Sequence, residues 1–285
     1  MDVRPKGVDA VILAGGINRI ALYDGYTPGF KGLVEFGGRP SIRYVLDALS
    51  GSRYVREVCI VGSREALDSA VGDRRVTYQA PDDNPLGSFL TGLRAFKDSA
   101  QVLVTAADLP LLTPAITDAF IEACARTPTR YTANLYLAVV RREQFTGAVT
   151  GVRKAINHFR DGVYAHGNVA LVDPRILRTA TALDRLNAMY AARKSEVRSA
   201  LALGLSVGLA YVVGVHLLHA LTLDRMAAIA SRRFGVGIVP VAVPHPEVAI
   251  DVDEPGDYQL ITTLLASPAG GTGVPATPAG WEAPR

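Results

Sequence analysis

Between Asp9 and Ala125 short apolar runs alternate with stretches of helical spacing, and no other feature narrows the fold as much. Strands are predicted at Asp9–Leu13, Val58–Val61, Arg75–Tyr78 and Val102–Ala106. Helices are predicted between them, at Pro40–Leu49, Arg64–Val71 and Leu86–Phe96, and then at Pro114–Ala125. In the first helix Ile42, Val45, Leu46 and Leu49 share one face. Strands that are apolar on both faces, interleaved with amphipathic helices, imply a parallel sheet covered on both sides. The expected class is therefore α/β, with a Rossmann-like, mostly parallel central sheet flanked by helices.

The second half is less regular. Tyr131–Val140 and Asn168–Val172 read as strands, and Pro174–Arg193 and Leu223–Phe234 as helices. Val236–Val243 and Val248–Ile250 are β-branched runs that predict strands, and Pro255–Leu265 predicts a last helix. Ser199–Leu223 holds 25 consecutive residues without a charge. That length can span a bilayer, but its glycines and histidines fit buried apolar helices, a helical insertion in the second half. The tail from Ser267 to Arg285 is rich in Pro, Gly and Ala and is expected to be disordered.

Composition excludes some functions. Among 285 residues 49% are apolar and 20% charged, as in ordinary globular chains. The net charge is +3 and no block of like charges occurs, so nucleic acid is not an expected partner. Cys59 and Cys124 each lie in an apolar run and read as buried thiols, not a disulfide framework. The N-terminal segment has a short apolar run without a signal-peptide cleavage pattern, which predicts a cytoplasmic protein.

Three motifs carry chemistry. Leu13-Ala14-Gly15-Gly16 follows the first strand, where glycines let backbone N–H groups approach phosphate oxygens. Arg19 and Lys31 come next and supply positive charge for phosphates. A Gly-Gly pair alone is as readily a tight turn. Asp108 ends an apolar strand, where ligand sites of open α/β sheets gather, and its carboxylate suits either Mg²⁺ or the cap of the turn before Pro110. Asp251 and Asp253 alternate along an extended segment and so point the same way, just before Pro255 opens the last helix. They can complete a metal site, or one of them can cap that helix.

Taken in order, these motifs resemble the molybdenum-cofactor guanylyltransferase-like superfamily of nucleotidyltransferases, which share the GT-A fold. The matching segments are LAGGINRI, FKGLVEFGGRP, the run Pro85-Leu86-Gly87-Ser88 ahead of Gly92-Leu93, Asp108-Leu109-Pro110, and Asp251 to Tyr258. The likeness runs from about Val8 to Leu265. It departs at Asn18, where the pattern has a second glycine, at Arg19, shifted by one, and in a longer loop carrying Tyr23, Asp24 and Tyr26. The resemblance implies a single nucleotidyltransferase domain over residues 1–266. Residues 8–130 would be its nucleotide-binding half and residues 131–266 its acceptor-binding half, with the apolar helices 199–223 in the latter.

The resemblance also implies roles. Leu13, Ala14, Gly15, Gly16, Pro85, Leu86, Gly87, Ser88 and Asp108 would hold the nucleoside triphosphate. Arg19, Lys31 and Asp108 would be catalytic. Asp108, Asp251 and Asp253 would bind Mg²⁺ or Mn²⁺. The NMP group would pass to a phosphorylated small molecule and pyrophosphate would leave, by positioning and charge neutralisation. Arg160, His166, Gly167 and Asn168 would face the acceptor, with Arg160 on its phosphate. Arg153, Lys154, Arg193 and Lys194 are further phosphate candidates, though such residues are usually solvated surface charge.

Two other readings stand beside this one. A GT-A glycosyltransferase also binds a nucleotide and a metal, but usually carries its D-x-D in mid-domain; a nucleotide-binding regulator with a decayed site would bind a triphosphate without releasing pyrophosphate. A single membrane span through 199–223 would put Asp108 and the Asp251/Asp253 pair on opposite sides of the bilayer, so no transmembrane span is expected. Peripheral contact with a membrane stays compatible with the motifs and would favour a lipid-linked acceptor. The apolar second half offers a surface for a homodimer.

Overall fold

A computed structural model describes residues 7–152, 154–192 and 221–267. Most of the apolar stretch 199–223, the tail beyond Ser267, and the phosphate candidates Arg153, Arg193 and Lys194 lie outside the described residues.

The chain begins with β1 (Val8–Leu13) and two small ribbons, β2 (Ile17–Asn18) with β3 (Gly29–Phe30) and β4 (Glu35–Phe36) with β5 (Arg39–Pro40). It continues through α1 (Ser41–Ser50), β6 (Val55–Val61), α2 (Arg64–Val71), β7 (Thr77–Gln79), α3 (Pro85–Ala95), β8 (Val102–Ala106) and α4 (Pro114–Arg126). The second half adds β9 (Asn134–Arg141), β10 (Ile156–Phe159), β11 (Gly162–Val172), α5 (Ala180–Ala192), α6 (Leu223–Phe234), β12 (Gly237–Ala242) and α7 (Pro255–Ala266).

Eight strands form one sheet in the order β12-β9-β11-β8-β1-β6-β7, with β10 beside β11. The pairs β12–β9, β8–β1, β1–β6 and β6–β7 are parallel, and β11 alone runs against its neighbours. This is the mostly parallel sheet flanked by helices that the alternating pattern predicts. Successive residues of β1 show why both faces are covered. Ala10 and Ile12 pack with Ile42 and Leu46 of α1 and Phe120 of α4, whereas Val11 packs with Leu93 of α3 on the opposite face. Pro240 sits in β12, at the end of the strand order, where a missing N–H does no harm.

One apolar run folds otherwise than predicted. Val248–Ile250 is not a strand: residues Pro246–Ala249 form a 3₁₀ turn, closed by bonds from Val248 N–H to the His245 carbonyl and from Ile250 N–H to the Glu247 carbonyl. Pro246 opens it, and Val248, Ala249 and Ile250 are buried in the core. Short apolar runs are ambiguous between these outcomes. The strand predicted from Asn168 also starts earlier, at Gly162, and forms a hairpin with β10.

Helix α3 lies close on the sheet because of Gly92. A Cβ there would stand 2.5 Å from Val11 Cγ1 and 3.1 Å from Val61 Cγ2. Gly92→Val is expected to cost about 2–3 kcal/mol through overpacking and to lower the midpoint of thermal unfolding measurably. An unchanged midpoint would mean that α3 does not seat as described.

Candidate active site

The site gathers at the C-terminal ends of the parallel strands. Leu13 ends β1 and Ala106 ends β8, and the two are register partners. The chain then passes through Ala14-Gly15-Gly16 on one side and Ala107-Asp108 on the other. Both turns are tied down: Ala14 N–H donates to the Val61 carbonyl at 2.9 Å, and Ala107 N–H to the Leu13 carbonyl at 3.1 Å. A Cβ on Gly15 would crowd Pro81 Cβ at 3.3 Å, whereas one on Gly16 would make an ordinary contact with Lys31 Cδ at 3.5 Å. Lys31 N–H in turn donates to the Gly16 carbonyl at 2.9 Å.

A cavity of about 480 Å³ opens here. Leu13, Ala14, Gly15, Gly16, Lys31 and Asp108 line it, with Pro81, Asp82, Asn84, Pro85 and Ser88 across from them. Asn84 caps α3, its side chain accepting the Gly87 N–H at 2.9 Å, so the N-terminus of a helix borders the cavity. Leu86 and Gly87 do not line it. Gly87 makes room for Asp82, whose carboxylate carbon would stand 2.2 Å from an added Cβ. Arg19 is exposed and does not line the cavity either.

Lys31 is the hinge of the electrostatics. Its ammonium is 3.2 Å from the Asp108 carboxylate and hydrogen-bonds Asp253 as well. Burial alone would lower its pKa, but Asp108 and Asp253 outweigh this and hold Lys31 above the ordinary lysine value. Asp108 is 6% exposed. Burial raises its pKa, against the opposing charge of Lys31. Asp253 lies lower than an ordinary carboxyl, because Lys31 more than offsets its desolvation.

Carboxylate oxygens of Asp108, Asp251 and Asp253 all fall within 4.8 Å of one another. Three hard oxygen donors at that spacing fit Mg²⁺ or Mn²⁺. The Asp251–Asp253 segment reaches Asp108 because Val252 N–H donates to the Asp108 carbonyl at 3.3 Å and the Val252 side chain is buried. Asp257, in the first turn of α7, accepts the N–H groups of Asp253 and Glu254, both at 3.1 Å. The long loop docks here too. Asn18 is buried, its oxygen accepting Ile20 N–H at 2.9 Å and its amide reaching toward the Asp253 carbonyl. The Tyr23 and Tyr258 ring centroids are 4.7 Å apart. Asn18 thus turns the loop and faces the acidic segment.

The β10–β11 hairpin stands beside this cluster. Val169 pairs with Thr105 in antiparallel register, so Asn168, Gly167 and His166 run out past the end of β8 toward Asp108. Gly167 fits where a Cβ would be 2.9 Å from Ala138 Cβ. His166 Nε2 is 2.9 Å from the Asn157 amide nitrogen, and desolvation lowers the pKa of the ring. Arg160 lies at the hairpin turn, exposed, its N–H on the Leu221 carbonyl at 2.9 Å. It is separated from His166 by most of the hairpin's length. Lys154, which its sequence context groups with solvated charges, is instead largely buried, with Nζ 2.7 Å from Asp251 Oδ1 and 3.4 Å from Asp257. No local signal marks this pairing, because its partners lie about a hundred residues further along the chain.

Known proteins resemble this chain in sequence and in fold. The family described as MobA-like NTP transferase domain matches residues 10–161. No curated protein matches the sequence. Among solved structures, a hypothetical transferase from Thermus thermophilus superposes with a TM-score of 0.71 at 28% identity, over 88% of this chain and 99% of that one. The 4-diphosphocytidyl-2C-methyl-D-erythritol synthase of Anaerococcus prevotii shares the fold at 15% identity and a TM-score of 0.54, over 92% and 99% of the two chains. A nucleotidyl transferase from Methanothermobacter thermautotrophicus does so at 18% identity and 0.51, over 90% and 97%.

Proposed function

The chain belongs to the MobA-like NTP transferase family, and on that premise we propose that it moves the NMP group of a nucleoside triphosphate to the phosphate of a small-molecule acceptor, releasing pyrophosphate. The observation that carries this reading is the meeting of Asp108, Asp251 and Asp253 with Lys31 at the mouth of the nucleotide-sized cavity.

In this reading residues 8–130 hold the nucleotide and residues 131–266 the acceptor, within one domain. The Gly15-Gly16 turn and the N-terminus of α3 present backbone N–H groups to phosphate oxygens. Lys31 neutralises charge on the phosphates during in-line attack. Mg²⁺ or Mn²⁺ on the three carboxylates would supply further charge neutralisation there. His166 and Asn168 offer hydrogen bonds to the acceptor. Arg19 and Arg160 are exposed and do not line the cavity, and neither carries a phosphate in this reading. No helix among the described residues is long and apolar enough to cross a membrane.

Pyrophosphate release should be measured with each of the four ribonucleoside triphosphates and Mg²⁺ against sugar, polyol and cofactor phosphates. Release is expected with one pairing and lost with Asp108→Ala. Triphosphate binding without release from any pairing would favour the regulator reading. A pH series adds a second check. Since burial raises the pKa of Asp108, a proton competes there at a higher pH than at an ordinary carboxylate. Mn²⁺ affinity of the free enzyme should therefore begin to weaken above the usual carboxylate range as pH falls. Affinity that holds steady until the ordinary range is reached would remove Asp108 from the metal site.

A further inference from the structure

Lys154 stands two residues before β10, in the half assigned to the acceptor, yet its ammonium is spent on the C-terminal segment. Nζ donates to the Asp251 carbonyl at 3.0 Å, to Asp251 Oδ1 at 2.7 Å and to Asp257 Oδ2 at 3.4 Å. The three side chains are 15%, 19% and 14% exposed, so solvent screens them little. The two carboxylates are not alike. Asp257 is fixed by two backbone N–H groups of its own helix start. Asp251 belongs to the trio whose oxygens converge on Asp108. A divalent cation on the Asp251 carboxylate would weaken its ion pair with the ammonium, because two cations sharing one anion repel. The lysine stem is flexible and its three donors can turn to another oxyanion. Lys154 does not line the nucleotide cavity, which Lys31 does. Lys154 instead leads into the β10–β11 hairpin of the half assigned to the acceptor.

We infer that Lys154 is an exchangeable counter-ion: it balances Asp251 until a divalent cation takes that carboxylate, and the released ammonium then binds the phosphate of the acceptor. This rests on nucleotidyl transfer as proposed above. It gives a sign that a merely structural lysine does not. A prop for the acidic cluster would, when removed, weaken metal binding; a competitor for Asp251 would, when removed, strengthen it.

The test is a Mn²⁺ titration followed by electron paramagnetic resonance on the wild type, Lys154→Met and Lys154→Arg without nucleotide, joined to steady-state kinetics. Lys154→Met is expected to bind Mn²⁺ about tenfold more tightly. Its acceptor KM should rise about tenfold or more while the triphosphate KM stays within about twofold, the mark of a lost acceptor contact. Lys154→Arg should keep the wild-type Mn²⁺ affinity and recover most of the acceptor affinity. Weaker or unchanged Mn²⁺ binding in Lys154→Met, or an unchanged acceptor KM, overturns the exchange while leaving nucleotidyl transfer intact. A wild type that binds no Mn²⁺ with or without triphosphate overturns both. If the Met variant fails to fold, Lys154→Gln carries the same comparison.

Discussion

Asp108→Asn is expected to lower kcat about a thousandfold and yet to leave the protein as stable as before or more so. The two effects share one cause. Asp108 sits almost fully buried at the end of β8, and burial raises its pKa, which means that the fold disfavours the charged form. Replacing it with a neutral amide of the same shape removes a desolvated charge while Lys31 keeps Asp253 as partner. The charge is held there at a cost to stability, as function-bearing groups often are. Thermal unfolding and pyrophosphate release on the same preparation check both halves. A large fall in the unfolding midpoint would show that Asp108 is a scaffold residue.

Lys31→Met should behave in the opposite way on stability. It removes the cation that two carboxylates share, leaving Asp108 buried without its counter-charge. The unfolding midpoint should drop, and kcat should fall about a hundredfold through lost charge neutralisation at the phosphates. The triphosphate KM should rise as well, since Lys31 lines the cavity. Added to Asp108→Asn, the same change should cost less stability than it does alone, because the buried charge it would strand is gone. Equal costs in both backgrounds would show that the two side chains do not interact.

The sheet was legible in the sequence where both faces of a strand are buried. In β1, β6 and β8 the apolar runs needed no partner to be recognised, and the helices between them carried their own stripes. Asp108, Asp251 and Asp253 were legible for a related reason: strand ends and a proline-started helix fix where such carboxylates lie. What failed was decided by contacts. The run Val248–Ile250 has the composition of a strand but follows Pro246 and closes on itself as a 3₁₀ turn. The first half of β11 contains Tyr164, His166 and two glycines, and no alternation marks it as strand until β10 and β9 pair with it. Arg19, one place off the pattern, is exposed outside the cavity, while its neighbour Asn18 is buried. Lys154 was legible as a phosphate candidate but not as a partner of Asp251, since only folding brings the two together.

In nucleotidyl transfer the bond broken lies between the α- and β-phosphates of the triphosphate. Parallel reactions with α-³²P- and γ-³²P-labelled triphosphate, run with the productive acceptor, test this directly. The α label is expected in the acceptor product and the γ label in pyrophosphate, with both transfers absent in Asp108→Asn. The γ label in inorganic phosphate or in the acceptor, or the α label retained in a nucleoside diphosphate, would contradict it.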